Sequence, residues 1–117
     1  MPNLPQKVVM VSWDDDLDQP TVDKEEIEVK ISEGPAVIVW RHNPATVEKI
    51  NAIVLNEKTD DPAGEFSAPQ AGGGVGSKTW VSVDFATRLG EFSYSVLATK
   101  KNGTGPKLLD PMINNHP

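Results

Sequence analysis

Four acidic residues near the start of the chain have the spacing of positions 1, 3, 5 and 12 of an EF-hand calcium loop. They are Asp14, Asp16, Asp18 and Glu25. Gln19 stands where the sharp turn of that loop needs glycine, and the flanking segments alternate like strands where helices are required. A solvated loop between strands is therefore the prediction. A weak calcium site, or hydrolysis by a divalent metal bound to these aspartates, is the alternative.

A glycine-rich segment from Gly72 to Thr79 nearly spells the phosphate-binding loop G-x-x-x-x-G-K-[ST], but Ser77 replaces its second glycine. Such a loop must lead into a helix whose amide groups bind phosphate. The residues that follow alternate like a strand instead. They predict a connection between strands, with nucleotide binding as the alternative.

The chain has few groups suited to catalysis or metal binding. It has no cysteine, and its two histidines, His42 and His116, have no partner at metal-ligand spacing. No Gly-x-Ser-x-Gly or Ser/His/Asp arrangement is present. We therefore expect a protein that is not an enzyme and needs no cofactor.

Composition indicates one domain over residues 1–117, with frayed termini. The net charge of −6 and the scattered 11 Lys and Arg residues disfavour nucleic acid and an anionic membrane as partners. The N-terminus has no basic segment followed by an apolar one, so a soluble cytoplasmic protein is expected. Its partner would be a protein or a small ligand, with a homo-oligomer as a further possibility.

Short alternating or apolar runs separated by turn residues predict an all-β fold. The strand candidates are 8–13, 26–31, 36–40, 49–56, 65–67, 78–85, 91–99 and 108–113. At most one helical turn is expected after Asn43. Seven to eight strands at this spacing favour an antiparallel β-sandwich with Greek-key connections.

The 78–85 strand contributes a candidate interaction surface. Alternation with Val81, Val83 and Phe85 inward places the intervening side chains on the opposite face, namely Trp80, Ser82 and Asp84. An outward tryptophan can anchor a partner or a sugar, although cover by a loop is commoner.

The segment Gly90-x-Phe92-x-Tyr94-x-Val96 is the last of several motifs that follow one another along the chain. It follows a strand from Val37 to Asn43, a Phe66-Ser67 pair, the glycines 72–76 and the strand 81–85. In this order the chain resembles the cupredoxin family over about half its length. The resemblance implies a cupredoxin-like sandwich, and an immunoglobulin-like one is the alternative.

The copper ligands of that family are missing here. Val96 stands at the position of the ligand cysteine, and no histidine lies near Thr46 or after Val96, which leaves Met112 alone. The resemblance therefore implies a copper-less binding module whose diverged end carries Asn43, Lys100 and Asn102. An immunoglobulin-like adhesion or carbohydrate-binding domain is the alternative function.

Overall fold

A computed structural model describes residues 5–55, 65–67, 69–72, 78–103 and 106–117 of the chain. These residues form ten strands and one short 3-10 helix, Ile31–Glu33, with no α-helix among them. The strands are β1 Gln6–Asp14, β2 Gln19–Val22, β3 Glu26–Lys30, β4 Ala36–His42, β5 Val47–Leu55, β6 Gln70–Ala71, β7 Thr79–Asp84, β8 Gly90–Lys100, β9 Lys107–Leu109 and β10 Met112–His116. The predicted all-β fold is confirmed.

The strands are arranged in two sheets. The first has the order β2-β1-β4-β7-β6, and the second has the order β3-β10-β8-β5, with β9 also paired to β8. Two pairs, β1 with β4 and β3 with β10, are parallel, so the sheets are mixed rather than wholly antiparallel. Each parallel pair joins strands that are distant in sequence, as parallel pairing requires a long connection.

The core lies between the inner faces of the two sheets. In β3, Ile27 and Val29 are buried while Glu26, Glu28 and Lys30 are exposed, as the alternation predicts. The inner faces of the other long strands contribute Val9, Val11, Trp13, Ala36, Ile38, Trp40, Val47, Ile50, Ile53, Tyr94, Val96, Ala98 and Ile113. Burying each larger apolar side chain contributes about 1.5–3 kcal/mol, so this layer stabilises the sandwich.

The C-terminal strand differs from its prediction. Residues 108–113 do not form one edge strand, because Pro111 separates β9 from β10. β10 lies inside the second sheet between β3 and β8, with Ile113 and Asn115 buried. His116 therefore belongs to a central strand.

The two largest buried aromatic side chains meet across the core. The ring centroids of Trp40 and Tyr94 are 5.3 Å apart with an interplanar angle of 57°. Burial raises the pKa of the Tyr94 phenol to about 12. The Trp40 indole N–H lies close enough to oppose this rise in pKa, but it does not reach hydrogen-bond geometry, so both polar groups are unpaired.

The Tyr94→Phe variant is expected to lose no more than about 1 kcal/mol of unfolding free energy relative to the wild type, and a gain in stability is also consistent with this expectation. The substitution keeps the ring contact and removes a buried hydroxyl group that has no partner. Urea unfolding measures the difference, and absorbance titration of the wild type should place the phenol pKa near 12. A loss above about 2 kcal/mol would show that the hydroxyl has a partner.

Candidate binding surface at the loop end

Three connections meet at one end of the sandwich. They follow β1 (residues 14–18), β4 (residues 43–46) and β8 (residues 101–103), and we call them together with Lys100 the loop end. The parallel pairing of β1 with β4 brings their C-terminal ends to the same side. The antiparallel pairing of Val47 with Lys100 then brings the end of β8 to the start of β5. Connections from both sheets thus form one surface.

The 43–46 turn is the centre of this surface. The Asn43 carboxamide oxygen accepts a hydrogen bond from the Ala45 amide (3.0 Å), and the Val47 amide donates to the Asn43 carbonyl (2.8 Å). This is the single turn that the Asn-Pro pair predicts, followed directly by a strand. Its conformation is therefore fixed locally.

Hydrogen bonds join the turn to the neighbouring connections. The Trp13 amide donates to the Thr46 hydroxyl (3.1 Å), and the Lys101 amide donates to the Thr46 carbonyl (3.0 Å). The Asn43 side chain donates to the Ser12 hydroxyl (3.2 Å). The Lys101 ammonium group donates to the Pro44 carbonyl (3.1 Å). Backbone and side-chain groups of both sheets thus hold the turn in place.

The acidic loop is tied to the second sheet by two ion pairs. Asp15 lies 3.0 Å from the Lys100 ammonium group, and Asp18 lies 2.8 Å from that of Lys107. The hydrogen bond from Lys107, followed by that from the Trp13 indole, lowers the pKa of Asp18. These pairs are exposed, so they orient the loop more than they stabilise the fold.

The carboxylates of the acidic loop do not converge on one point in the described residues. Asp14 accepts hydrogen bonds from the amides of Asp16 and Leu17, which closes a local turn. Asp18 is engaged by Lys107, and no three His, Asp or Glu side chains of the described ranges could hold a metal ion together. Glu25 lies away from the loop, next to Met112, whose amide donates to its carbonyl. The hydrolase alternative therefore gains no support from the arrangement of these carboxylates.

The face assignment for β7 is also wrong. Ser82 and Asp84 are buried, Trp80 is half-buried, and Phe85 is 43% exposed, the reverse of the expected orientation. Trp80 packs against the core and donates its indole N–H to the Ile50 carbonyl of the other sheet (3.1 Å). Ser82 and Asp84 therefore cannot form an interaction surface.

Two of the predicted interaction residues line a shallow cleft. The cleft has a volume of about 190 Å³ and is lined by Asp15, Ala45, Thr46, Lys100, Lys101 and Asn102. Asn43 does not line the cleft, but its hydrogen bonds with Ala45 and Ser12 hold the neighbouring turn in place. The structure thus brings together Asn43, Lys100 and Asn102.

The other motifs yield no site in the described residues. Most of the glycine-rich segment, residues 73–77, lies outside the described ranges, and Lys78 leads into the strand β7 rather than into a helix. His42 ends β4 beside the loop end, whereas His116 ends β10 at the other end of the sandwich. The two imidazoles therefore share no site.

A buried polar cluster at the opposite end is missed by sequence reasoning. Glu65, Asp84 and Asn115 are each at most 1% exposed, and we call them the buried acid cluster. Glu65 stands in a predicted edge strand and Asn115 in a predicted frayed tail, so neither position carries a sequence signal for burial. Only the tertiary structure brings them to the end of β7.

Comparisons with known proteins establish no family for this chain. No family model matches it, and no curated protein matches it. Among five matching solved chains is the cysteine protease inhibitor EhICP2 from Entamoeba histolytica, which is 15% identical. The alignment covers 97% of this chain and 98% of that chain with a TM-score of 0.41, too low to assign a common fold. No helix in the described part of the chain is long and apolar enough to cross a membrane.

Proposed function

We propose that this chain is a non-catalytic binding module whose loop end binds a protein partner. The observation that carries the proposal is the set of hydrogen bonds that joins the three connections around Thr46. A loop surface that is already ordered loses little conformational entropy on binding, so its contacts contribute more fully to affinity. Loops on a rigid scaffold are also where binding surfaces concentrate.

The chemistry of the loop end supports a protein rather than a nucleic acid. Exposed lysines, including Lys100 and Lys101, stand beside exposed aspartates of the 14–18 loop. These aspartates would repel phosphates, whereas mixed charges suit the polar rim of a protein interface. Leu17, which is 64% exposed in the same loop, offers an apolar contact among the charges.

The position of Trp80 does not favour a carbohydrate-binding function. That alternative would be favoured by an exposed tryptophan whose ring can pack on a sugar. Trp80 is half-buried against the core, and its indole N–H is bonded to the Ile50 carbonyl. The loop end is therefore the better candidate surface.

The Lys100→Ala/Asn102→Gly variant tests the proposal. Glycine keeps the positive φ of 70° at position 102, and the ion pair of Lys100 with Asp15 is exposed, so the fold is expected to remain intact. Two probes are used: peptides selected from a random phage-displayed library, and a cysteine protease as a folded protein. Binders are expected to lose about tenfold or more in affinity for the variant, measured by biolayer interferometry.

The matched control is Glu28→Ala/Lys30→Ala on the exposed face of β3, far from the loop end. It should change the affinity of the same binders by less than about twofold. Binders that respond to the β3 variant and not to the loop-end variant would reject the proposal.

A further inference from the structure

The buried acid cluster holds the turn between β7 and β8, residues 85–89. The Asp84 carboxylate accepts a hydrogen bond from the Ala86 amide (2.9 Å). The Glu65 carboxylate accepts from the Thr87 amide (3.0 Å) and from the Thr87 hydroxyl (2.7 Å). The Asn115 carboxamide donates to the Arg88 carbonyl (3.1 Å). Three side chains from separate parts of the chain thus fix successive residues of this 85–89 turn.

The turn needs this support because its backbone is strained. Ala86 has a φ of 56°, a conformation that is unfavourable for a residue with a Cβ atom. The turn also presents Phe85 and Leu89 to solvent, where they are 43% and 57% exposed. Its order therefore determines how two large apolar side chains are displayed.

Each member of the cluster leaves one buried oxygen without a hydrogen-bond partner. These atoms are Glu65 Oε2, Asp84 Oδ2 and Asn115 Oδ1. All three are acceptors when both carboxyl groups are ionised, so none can satisfy another. A proton on one carboxyl group turns an acceptor into a donor and removes one of two buried like charges.

No Lys, Arg or His side chain is among the buried residues of the described ranges. The charged group that acts on Asp84 is Glu65, which disfavours ionisation. On the elements around the cluster, the charged side chains of Arg88, Glu91 and Lys30 are exposed. The His116 ring lies against the Pro117 carbonyl (3.1 Å), and β4 contributes the uncharged Ala36 opposite Asp84.

We propose that the buried acid cluster acts as a pH-dependent lock on the 85–89 turn, which is held while the Asp84 carboxyl group is protonated and loosened when it ionises beside Glu65. Burial raises the pKa of Asp84 from 3.8 to about 6, and the hydrogen bonds from Ala86 and Asn115 only partly oppose the rise. Because the folded chain holds this proton more tightly than the unfolded chain, stability falls as the pH rises from about 4 through 6. This lock lies at the end opposite to the loop end and is independent of binding there.

Nuclear magnetic resonance titration from pH 4 to 8.5 tests the lock. The Asp84 carboxyl group should titrate with a midpoint near 6, and the amide shifts of Ala86 and Thr87 should follow the same midpoint. Amide protection in the turn, corrected for intrinsic exchange, should fall about fivefold or more between pH 5 and pH 8. Asp84→Asn should abolish both changes and retain protection at pH 8, since a carboxamide supplies the donor at every pH.

Glu65→Gln provides a second variant if Asp84→Asn fails to fold. It should lower the midpoint of the Asp84 titration, because it removes the like charge beside Asp84. Glu91→Gln, an exposed carboxyl group just after the turn, is the control and should leave the midpoint unchanged. Titration of the Asp84 carboxyl group below pH 5, or turn amide shifts that do not follow this titration, would overturn the proposal. So would stabilisation by Ca²⁺ at pH 8 that is lost in Asp84→Asn, since a cation would then take the place of the proton.

Discussion

A chain that ends at Asp110 is expected not to fold. The deletion removes β10, which pairs with β3 on one edge and with β8 on the other. The second sheet would lose its connection to β3, and the core would lose the buried side chain of Ile113. Loss of one fully buried isoleucine alone costs about 2–5 kcal/mol, a large part of the total stability of a domain this size. Circular dichroism and heteronuclear NMR should show no cooperative unfolding transition and no dispersed amide signals.

Two smaller changes distinguish the loss of β10 from a general effect of altering the C-terminus. Removal of Pro117 alone leaves β10 complete and should keep cooperative unfolding with little change in Tm. Ile113→Ala should fold but lose about 2–5 kcal/mol. A cooperative transition in the chain that ends at Asp110 would show that β10 is dispensable.

Local periodicity predicts individual strands well but not how they pair. The alternation in β3 and β8 gives the correct inner residues because each strand has one solvent-facing and one core-facing side. Parallel pairing of β1 with β4 depends on residues about thirty positions apart, and no local pattern records it. The Greek-key connections and the cupredoxin-like family stay predictions. Val96 is buried in the core, as the alternation in β8 predicts.

The orientation of β7 shows why side-chain polarity alone can assign the wrong face of a strand to solvent. Alternation defines two faces, and the polar one is normally assigned to solvent. Here Ser82 and Asp84 face inward because Ser67 and Asn115 supply their hydrogen bonds. These partners come from distant parts of the sequence. The β7 segment alone therefore does not show that its buried polar groups will be hydrogen-bonded.

The candidate site is predicted in part. Asn43, Lys100 and Asn102 do share one end of the sandwich, because Asn43 follows β4, Lys100 is the last residue of β8 and Asn102 lies just after it. Asp14, Asp16 and Asp18 do not converge on one point, because spacing along the chain does not supply the turn that an EF-hand loop needs. The ion pair from Lys107 to Asp18 joins residues 89 positions apart and could not be read locally.

Trp40→Ala is expected to lose about 3–5 kcal/mol of unfolding free energy, measured by urea unfolding at pH 6. The Trp40 side chain is fully buried between the sheets against Tyr94, so its removal leaves a cavity in the centre of the core that the neighbouring strands cannot close. Trp80→Phe is the matched control because Trp80 is the residue paired with Trp40 on the adjacent strand. It keeps an aromatic ring on the half-buried site and gives up one hydrogen bond to Ile50, so a loss of only about 1 kcal/mol is expected. If Trp80→Phe were the more damaging change, the contact between the two sheets would depend on the β7 side of the sandwich and not on Trp40.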